Sequence, residues 1–418
     1  MVKLREENDP DTIANVKCRI INISNFSAET LTIPDDLIIG NILPRLPVKT
    51  LIRFTSVSKF WLSTISTPEF AKSHLKFSLN QILLIDKRPL RFMILPYDDE
   101  ESDSLENPIE LENFFDSSFQ QKLSKNDVSF VGSGNGLVCF ECDHLCFFFI
   151  CNPALHSYRK IMYPNPGYCS NTSWFGYIPS IDDYRIVVLF GLSRLRVQRE
   201  PPVYFYVFSL KTGNWKRICD LDDYFTRYEW LCWDTKVVND ILYWSVGFLE
   251  YAMPKRIVGY NLVSEQVEVF PWMDWLQQLK VFPGMNLLQQ CVSTRFFLRN
   301  GCLSIACISL IDRMTEVWTL KQFYDWNSWE KVGSFNRPCT FGCHVTPTGK
   351  FLVEKCFELQ TPNRFMIVDA SLDTEKQRQS HTCSCDNKIT VSNAVGYVES
   401  LISPFGTIMS IDEEDREL

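Results

Sequence analysis

The spacing of apolar residues changes character near residue 75 of this 418-residue chain. Upstream, they recur three to four positions apart, the period of one helix face. Pro34 suits the first turn of a helix, where a missing N–H costs nothing, and Asp35 and Asp36 follow at the positive end of the helix dipole. Leu37, Ile38 and Ile42 then fall on one side, while Gly40 weakens the helix and Pro44 interrupts its hydrogen bonding, so a short or bent helix is predicted. Beyond the Leu46-Pro47 break, Leu51, Phe54, Val57 and Trp61 predict a second amphipathic helix whose stripe ends in tryptophan. A bundle of about 40 residues buries too little surface to stand alone without a metal, a disulfide or a partner. No cysteine lies between Ile33 and Ile65, so the stripe needs protein cover, from a second molecule or from the rest of this chain.

Downstream, short β-rich runs take over. VYFYVFSLKTGNWKRI, Val203 to Ile218, reads as a strand, a turn over Lys211-Thr212-Gly213-Asn214 and a second strand. FFFICNPALHSYRKI, IVGYNLVSEQVEVF, VWTLKQFYDWNSWEKV and RFMIVDASLD repeat the phrase. Aligned on Asn152, Ser209, Asn261, Thr319 and Asp369, the units stand about 50 to 58 residues apart, close to the period of kelch-type repeats. Ahead of them lie further turn-plus-strand runs at Gly136, Asp183, Asn239, Asn300 and Gly349, so each repeat holds three or four strands. The predicted fold is mainly β with a small N-terminal helical domain. Its β part is a kelch-like β-propeller of roughly six blades, whose apolar faces are buried only because neighbours stack. A twisted β-sandwich with long loops is the competing architecture.

Two resemblances rest on these segments. Ile33-Pro34, Leu37, Ile42-Leu43, Leu46-Pro47, Leu51 and Val57-Ser58-Lys59-Phe60-Trp61 resemble the F-box pattern, in order, with departures at Gly40, Pro44 and Ser58. SGNGLVCF, CNPALHSYRKI, the FGY and DYRIVVLF pair, YVFSLKTGNWKRI and YVESLISP resemble the F-box-associated interaction domain of plant F-box proteins, including the S-locus F-box group, from about Phe77 to Pro404. The resemblances imply a flexible tail over residues 1–29, F-box helices over 30–75, an F-box-associated propeller over 76–404 and an acidic tail over 405–418. They imply a surface for the Skp adaptor of a cullin–RING ubiquitin ligase, carried by Ile33, Pro34, Leu37, Ile42, Leu46, Pro47, Leu51, Phe54, Val57 and Trp61. The chain would then be the substrate-recognition subunit of an SCF-type ligase, presenting a target protein for ubiquitination and proteasomal degradation by proximity rather than by bond chemistry. A binding module that uses the F-box only for stability or sequestration is the alternative. A small-molecule enzyme site in the central channel is a third.

Composition narrows the choice. A net charge of -8 repels nucleic acid, and the only dense basic run is Arg194-x-Arg196-x-x-Arg199, so DNA or RNA is not an expected partner. MVKLREENDPDTIANVK lacks the apolar stretch of a signal peptide, and no later apolar run approaches the roughly 20 residues of a membrane span. That predicts a soluble protein of the cytoplasm, the nucleus or both, without membrane attachment. In such a setting the sixteen cysteines are read as reduced packing residues, and the sequons at Asn22, Asn25 and Asn171 carry no meaning.

No catalytic constellation is legible. VGSGNGLVCF has no helix after its glycines and reads as a turn into a strand rather than a phosphate loop. Cys139, Cys142, Cys146 and Cys151 approach zinc spacing, but alternate strand residues face opposite ways and no second knuckle follows. Cys339, Cys343 and His344 are discounted likewise, as are His381, Cys383 and Cys385, so neither a metal nor another cofactor is expected. With five histidines, no Gly-x-Ser-x-Gly elbow and no His-Glu-x-x-His helix, no nucleophile has a base, and Asp182-Asp183 and Asp222-Asp223 read as turn formers. What remains is aromatic. Trp174, Trp230, Trp233, Trp272, Trp275 and Trp326, with Phe175 and Tyr228, fall in expected loops and are candidates for target binding. Trp215, Trp244, Trp318 and Trp329 sit on strand phrases and are assigned to packing.

Overall fold

The computed structural model describes residues 33–87, 90–95, 109–125, 128–192, 204–220, 235–247, 254–271, 292–309, 314–323, 325–336, 344–345, 351–354, 364–368, 382–384 and 391–405. The chain divides into two compact units, residues 1–45 and 46–418. The described part of the first is an α turn, Asp35–Leu37, a π turn, Ile38–Ile42, and a 3-10 turn, Leu43–Arg45. Pro34 opens it, its carbonyl accepting the amides of Leu37 and Ile38 at 3.0 and 3.2 Å. Pro44 has no N–H to return to the Gly40 carbonyl, so a regular α ladder cannot run through, and the backbone widens and then tightens.

The second unit begins with three short helices, α1 (Val48–Phe54), α2 (Lys59–Ile65) and α3 (Pro68–Leu75). The single helix predicted across Leu51 to Trp61 is therefore broken. Ser58 is extended and its Oγ accepts the Trp61 amide at 3.1 Å, an N-cap that starts a new helix. Thr67 caps α3 in the same way, accepting the Phe70 amide at 3.2 Å, with Pro68 in the first turn.

Among the described residues, six four-stranded antiparallel sheets follow. Sheet one holds β1 (Gln81–Lys87), β2 (Leu90–Leu95) and β3 (Ile109–Glu110). Sheet two is β4 (Ser129–Gly134), β5 (Leu137–Cys142), β6 (Phe147–Asn152) and β7 (Ser157–Met162). Sheet three is β8 (Tyr168–Ile178), β9 (Asp183–Leu192), β10 (Tyr204–Ser209) and β11 (Asn214–Asp220). Sheet four is β12 (Thr235–Val238), β13 (Ile241–Gly247), β14 (Pro254–Asn261) and β15 (Val267–Pro271). Sheet five is β16 (Val292–Arg299), β17 (Cys302–Ser309), β18 (Met314–Leu320) and β19 (Trp329–Asn336). Sheet six has shorter strands, β20 (His344–Val345), β21 (Phe351–Glu354), β22 (Arg364–Val368) and β23 (Thr382–Ser384). The chain then returns to sheet one, where β24 (Val391–Tyr397) pairs antiparallel with β1, Leu83 opposite Val395. β24 lies between β20 and β4, so the first and sixth sheets are joined into a ring.

The apolar cores sit between consecutive sheets rather than between two layers, which makes the fold a propeller and not a sandwich. Leu83, Phe92, Phe140 and Phe149 join sheets one and two; Phe148, Ile150, Ile186 and Phe190 join two and three. Val187, Phe205, Trp244 and Tyr260 join three and four; Tyr243, Ile257, Ile305 and Leu320 join four and five. Hairpin turns follow from local chemistry. Asn135-Gly136, Asn239-Asp240 and Asn300-Gly301 all have positive φ at both residues, the type I′ turn that suits a twisted hairpin. The repeat positions seen in the sequence also have one structural meaning. Asn152, Ser209, Asn261 and Thr319 stand at or next to the end of the third strand of sheets two to five, whereas Asp369 lies outside the described residues. Asn152 and Asn261 each use Oδ1 to accept the amides two and three residues on, closing the turn to the fourth strand.

One helix was not foreseen. α4, Ser117–Lys125, starts at Asp116, whose Oδ1 accepts the Phe119 amide at 2.8 Å. It buries Phe119 and Leu123 in the core between sheets one and two.

Candidate functional site

α1 and α2 form the surface that the sequence marks for docking, but with altered membership. Leu51 has 0% exposure and, with Val48 and Ile65, is the core of the helical layer. Its predicted docking role is corrected on that ground: a seven-residue helix with Val48, Leu51, Ile52 and Phe54 is apolar on more than one side, and Leu51 is on the inner one. Phe54 and Trp61 meet edge to face with centroids 5.3 Å apart and are half-buried. The exposed apolar residues are Ile52, Val57, Phe60 and Leu62, with Val57 62% and Phe60 51% exposed. Sequence spacing missed Ile52, Phe60 and Leu62. The available signal was an apolar content greater than one helix face can bury. Leu46 is half-buried and Pro47 exposed; in the first unit, Ile33, Pro34, Leu37 and Ile42 are exposed.

α3 ties this layer to the ring. His74, buried on α3, has Nε2 3.0 Å from the Leu46 carbonyl, so Nε2 carries the proton and donates. Burial, the larger effect, lowers its pKa and holds the ring neutral. Ser78 Oγ lies 3.2 Å from His74 Nδ1 and 3.1 Å from the carbonyl of Glu399, just beyond β24. Lys72 pairs with Asp182 at 2.7 Å, and the same carboxylate accepts the Tyr177 hydroxyl at 2.7 Å; the Lys72 contact does most to lower its pKa. That ion pair is half-exposed and adds little, so the firmer ties are the hydrogen bond from His74 to the Leu46 carbonyl and the one the Ser78 hydroxyl donates to the Glu399 carbonyl.

The tryptophans divide differently from the sequence reading. Trp174 is on β8, buried against Val187, Phe205 and Trp244, and so is not a loop anchor. Trp326 stacks on Phe270 at 4.6 Å and meets Trp329 edge to face at 5.7 Å, because the turn between β18 and β19 folds back onto sheet four. Trp174 is corrected to a packing residue, as is Phe175, which is buried, whereas Trp326 is half-buried. Trp230, Trp233, Trp272, Trp275 and Tyr228 lie outside the described residues.

Cys139 and Cys142 project from opposite faces of β5, the first into the core between sheets two and three, the second into that between one and two. Burial pushes the Cys142 thiol up to about 12 and Cys139 well above its usual value, so both stay protonated at neutral pH. Cys339, Cys343, His381 and Cys385 lie outside the described residues. Among those described, no group of His, Cys, Asp and Glu is placed to hold a metal, and no helix is long and apolar enough to cross a membrane. Glu141, buried on β5, accepts the Tyr163 hydroxyl at 2.6 Å and Ser173 Oγ at 3.0 Å, stitching sheet two to sheet three. Burial raises its pKa more than these donors lower it.

A family model described as the F-box associated beta propeller domain matches residues 82–336, which span sheets one to five without β24. An F-box protein of Arabidopsis thaliana is 26% identical over 334 residues, covering 73% of this chain and 74% of the relative. An F-box/kelch-repeat protein of the same plant is 24% identical over 297 residues, 70% of this chain and 76% of the relative. The F-box protein CPR1, also from Arabidopsis thaliana, is 23% identical over 334 residues, 73% of this chain and 74% of that protein.

Proposed function

Because this chain belongs to the family of F-box associated β-propeller domains, we propose that it is a substrate-recognition adaptor of an SCF-type ubiquitin ligase, residues 30–75 being its F-box. The helices dock on an Skp-type adaptor, and through it on cullin and RING subunits, while the propeller holds a target protein within reach of ubiquitin transfer. The work is done by holding two molecules together. The chain contributes no bond chemistry of its own, and its place of action is the cytoplasm or the nucleus.

The observation that carries this reading is the exposed set Ile52, Val57, Phe60 and Leu62 on one small helical layer whose inner side is already filled by Val48, Leu51 and Ile65. Large apolar side chains left exposed on two short adjoining helices point to a contact surface. The His74–Leu46 and Ser78–Glu399 hydrogen bonds add support, since they would hold a docked ligase core in a fixed orientation to the ring.

Titration of the Skp adaptor with Val57→Asp and Phe60→Asp tests it. Each should lose at least about 2 kcal/mol of binding, as for a central interface anchor, with the melting temperature unchanged. Wild-type affinity in both variants would sink the docking role. Leu51→Asp serves as the contrast, because it places a charge in the core and should unfold the helical layer.

A further inference from the structure

Charge is one-sided over α1 and α2. Between Leu46 and Ser66 the charged residues are Lys49, Arg53 and Lys59, with no Asp or Glu among them, although the whole chain has a net charge of -8. All three cations are exposed, and none has an ion pair among the described residues. The same stretch is rich in hydroxyls, most of them committed. Thr55 Oγ1 donates to the Ile52 carbonyl at 2.6 Å, Ser63 and Thr64 donate to the Phe60 carbonyl at 2.9 and 2.8 Å, and Ser58 caps α2. Thr50 and Ser66 are half-buried. That leaves Ser56, an exposed side chain whose hydroxyl makes no hydrogen bond among the described residues.

Ser56 stands in the turn from α1 to α2, three residues after Arg53 and three before Lys59, next to Val57 and about one turn beyond Ile52. The turn is lightly held. The Ser56 amide donates to the Arg53 carbonyl at 3.2 Å and the Val57 amide to the Phe54 carbonyl at 3.0 Å, so opening two bonds extends the segment for an enzyme to read. A hydroxyl that follows an unpaired cation by three residues, in a stretch without carboxylates, matches the charge pattern of substrates for protein kinases with an acidic substrate groove. Ser58 does not match it, because its Oγ holds the Trp61 amide and Thr55 stands where Arg53 stands for Ser56. We propose that Ser56 is a phosphorylation site whose phosphate keeps the helical layer from docking on its partner. On the adaptor reading above, that partner is the Skp adaptor. In the modifying step Ser56 Oγ attacks the γ-phosphorus of kinase-bound ATP; the new O–P bond replaces the one to the bridging oxygen, ADP leaves, and the hydroxyl proton passes to the kinase's carboxylate base. The phosphate carries a charge of about -1.5 to -2 at neutral pH. Arg53 and Lys59 stand on either side to pair with it, and docking would then bury a hydrated dianion next to Val57.

The full chain is incubated with ATP and a kinase that selects basic substrates or one that selects acidic ones, and the modified residues are located by peptide mass spectrometry. The first kinase should label Ser56, Arg53→Ala should slow that labelling at least about tenfold, and the second kinase should leave Ser56 unlabelled. In titrations of the Skp adaptor, the chain phosphorylated at Ser56 should bind at least about tenfold more weakly than the unmodified chain, with the melting temperature unchanged. Ser56→Ala should bind as wild type does and be insensitive to the kinase. No label at Ser56, labelling that ignores Arg53, or wild-type affinity after phosphorylation would overturn the proposal. If the phosphorylated chain melts early, Ser56→Asp against Ser56→Asn separates charge from unfolding: the Asp variant alone should be weakened, and equal affinity would sink the switch. A wild-type chain that does not titrate with the Skp adaptor removes the adaptor reading and the switch together, whereas normal titration that phosphate leaves unaltered removes the switch alone.

Discussion

Asn152 offers the sharpest test of how the ring is held shut. It is fully buried, and its Nδ2 donates to the carbonyls of Ser400 at 3.0 Å and Ile402 at 2.8 Å, on the segment that leaves β24. Its Oδ1 accepts the amides of Ala154 and Leu155 at 2.9 and 3.3 Å. Asn152→Ala removes these bonds and a longer one from Nδ2 to Ser400 Oγ at 3.4 Å. The two amides lie in a turn, where water can replace the lost oxygen; the Ser400 carbonyl is on a wholly buried residue. Two stranded carbonyls at about 1 to 3 kcal/mol each give an expected loss of about 3 kcal/mol or more. That is roughly a hundredfold in an opening equilibrium. Hydrogen exchange resolved by residue is the assay: amides of β24 should lose roughly a hundredfold in protection, and the urea midpoint should fall. Asn152→Asp keeps the acceptor but sets a carboxylate against two carbonyl oxygens. Such a group has a folded pKa above its unfolded value, so its deficit should grow as pH rises through the folded pKa and shrink in acid. If Asn152→Ala leaves β24 exchange within about threefold of wild type, the β1–β24 ladder alone closes the ring and the reasoning fails.

Three further outcomes follow from the same structure. Glu141 has a raised pKa from burial, so its contribution to stability is greatest below the unfolded carboxyl value and declines as pH rises toward the folded one; the wild-type urea midpoint minus that of Glu141→Gln should decline over that range, and a constant difference would show that Glu141 does not titrate there. Trp326→Ala should lower the melting temperature by removing the stack on Phe270 and the contact with Trp329, whereas an unaltered melt would leave Trp326 a candidate for the recognition face. Gly136→Ala should destabilise by about 2 kcal/mol or more, because φ is +85° and a Cβ would overlap the Ser400 side chain and the Val398 carbonyl; a neutral result in thermal melts would mean that the Ser400 segment is not seated there.

The repeat was legible because it is written in residues that do one job. An amide or hydroxyl side chain at the end of a third strand closes the next turn, and an Asn-Gly or Asn-Asp pair imposes the first hairpin. Leu51 and Trp174 were misplaced for the opposite reason. A short helix with apolar residues on several sides does not declare which is outermost, and a tryptophan after the polar run Ser170 to Ser173 looks the same whether that run is a loop or a strand. α4 could have been found. Phe115, Phe119 and Leu123 recur every fourth residue behind a capping Asp116, a helical rhythm hidden among strands.

Pairing of β24 with β1 also sets a clock. β1 leaves the ribosome some 300 residues before its inner neighbour exists, which at usual translation rates of about 5 to 20 residues per second is roughly 15 to 60 seconds. Throughout that interval the first sheet presents Leu83, Leu84 and Ile85 along an unpaired edge, the kind of surface that recruits the wrong strand. Synthesis that stops anywhere short of residue 391 leaves the edge permanently open, however well the intervening sheets have formed. The cell therefore receives, in one exposed strand, a readable sign that a copy of this protein is unfinished.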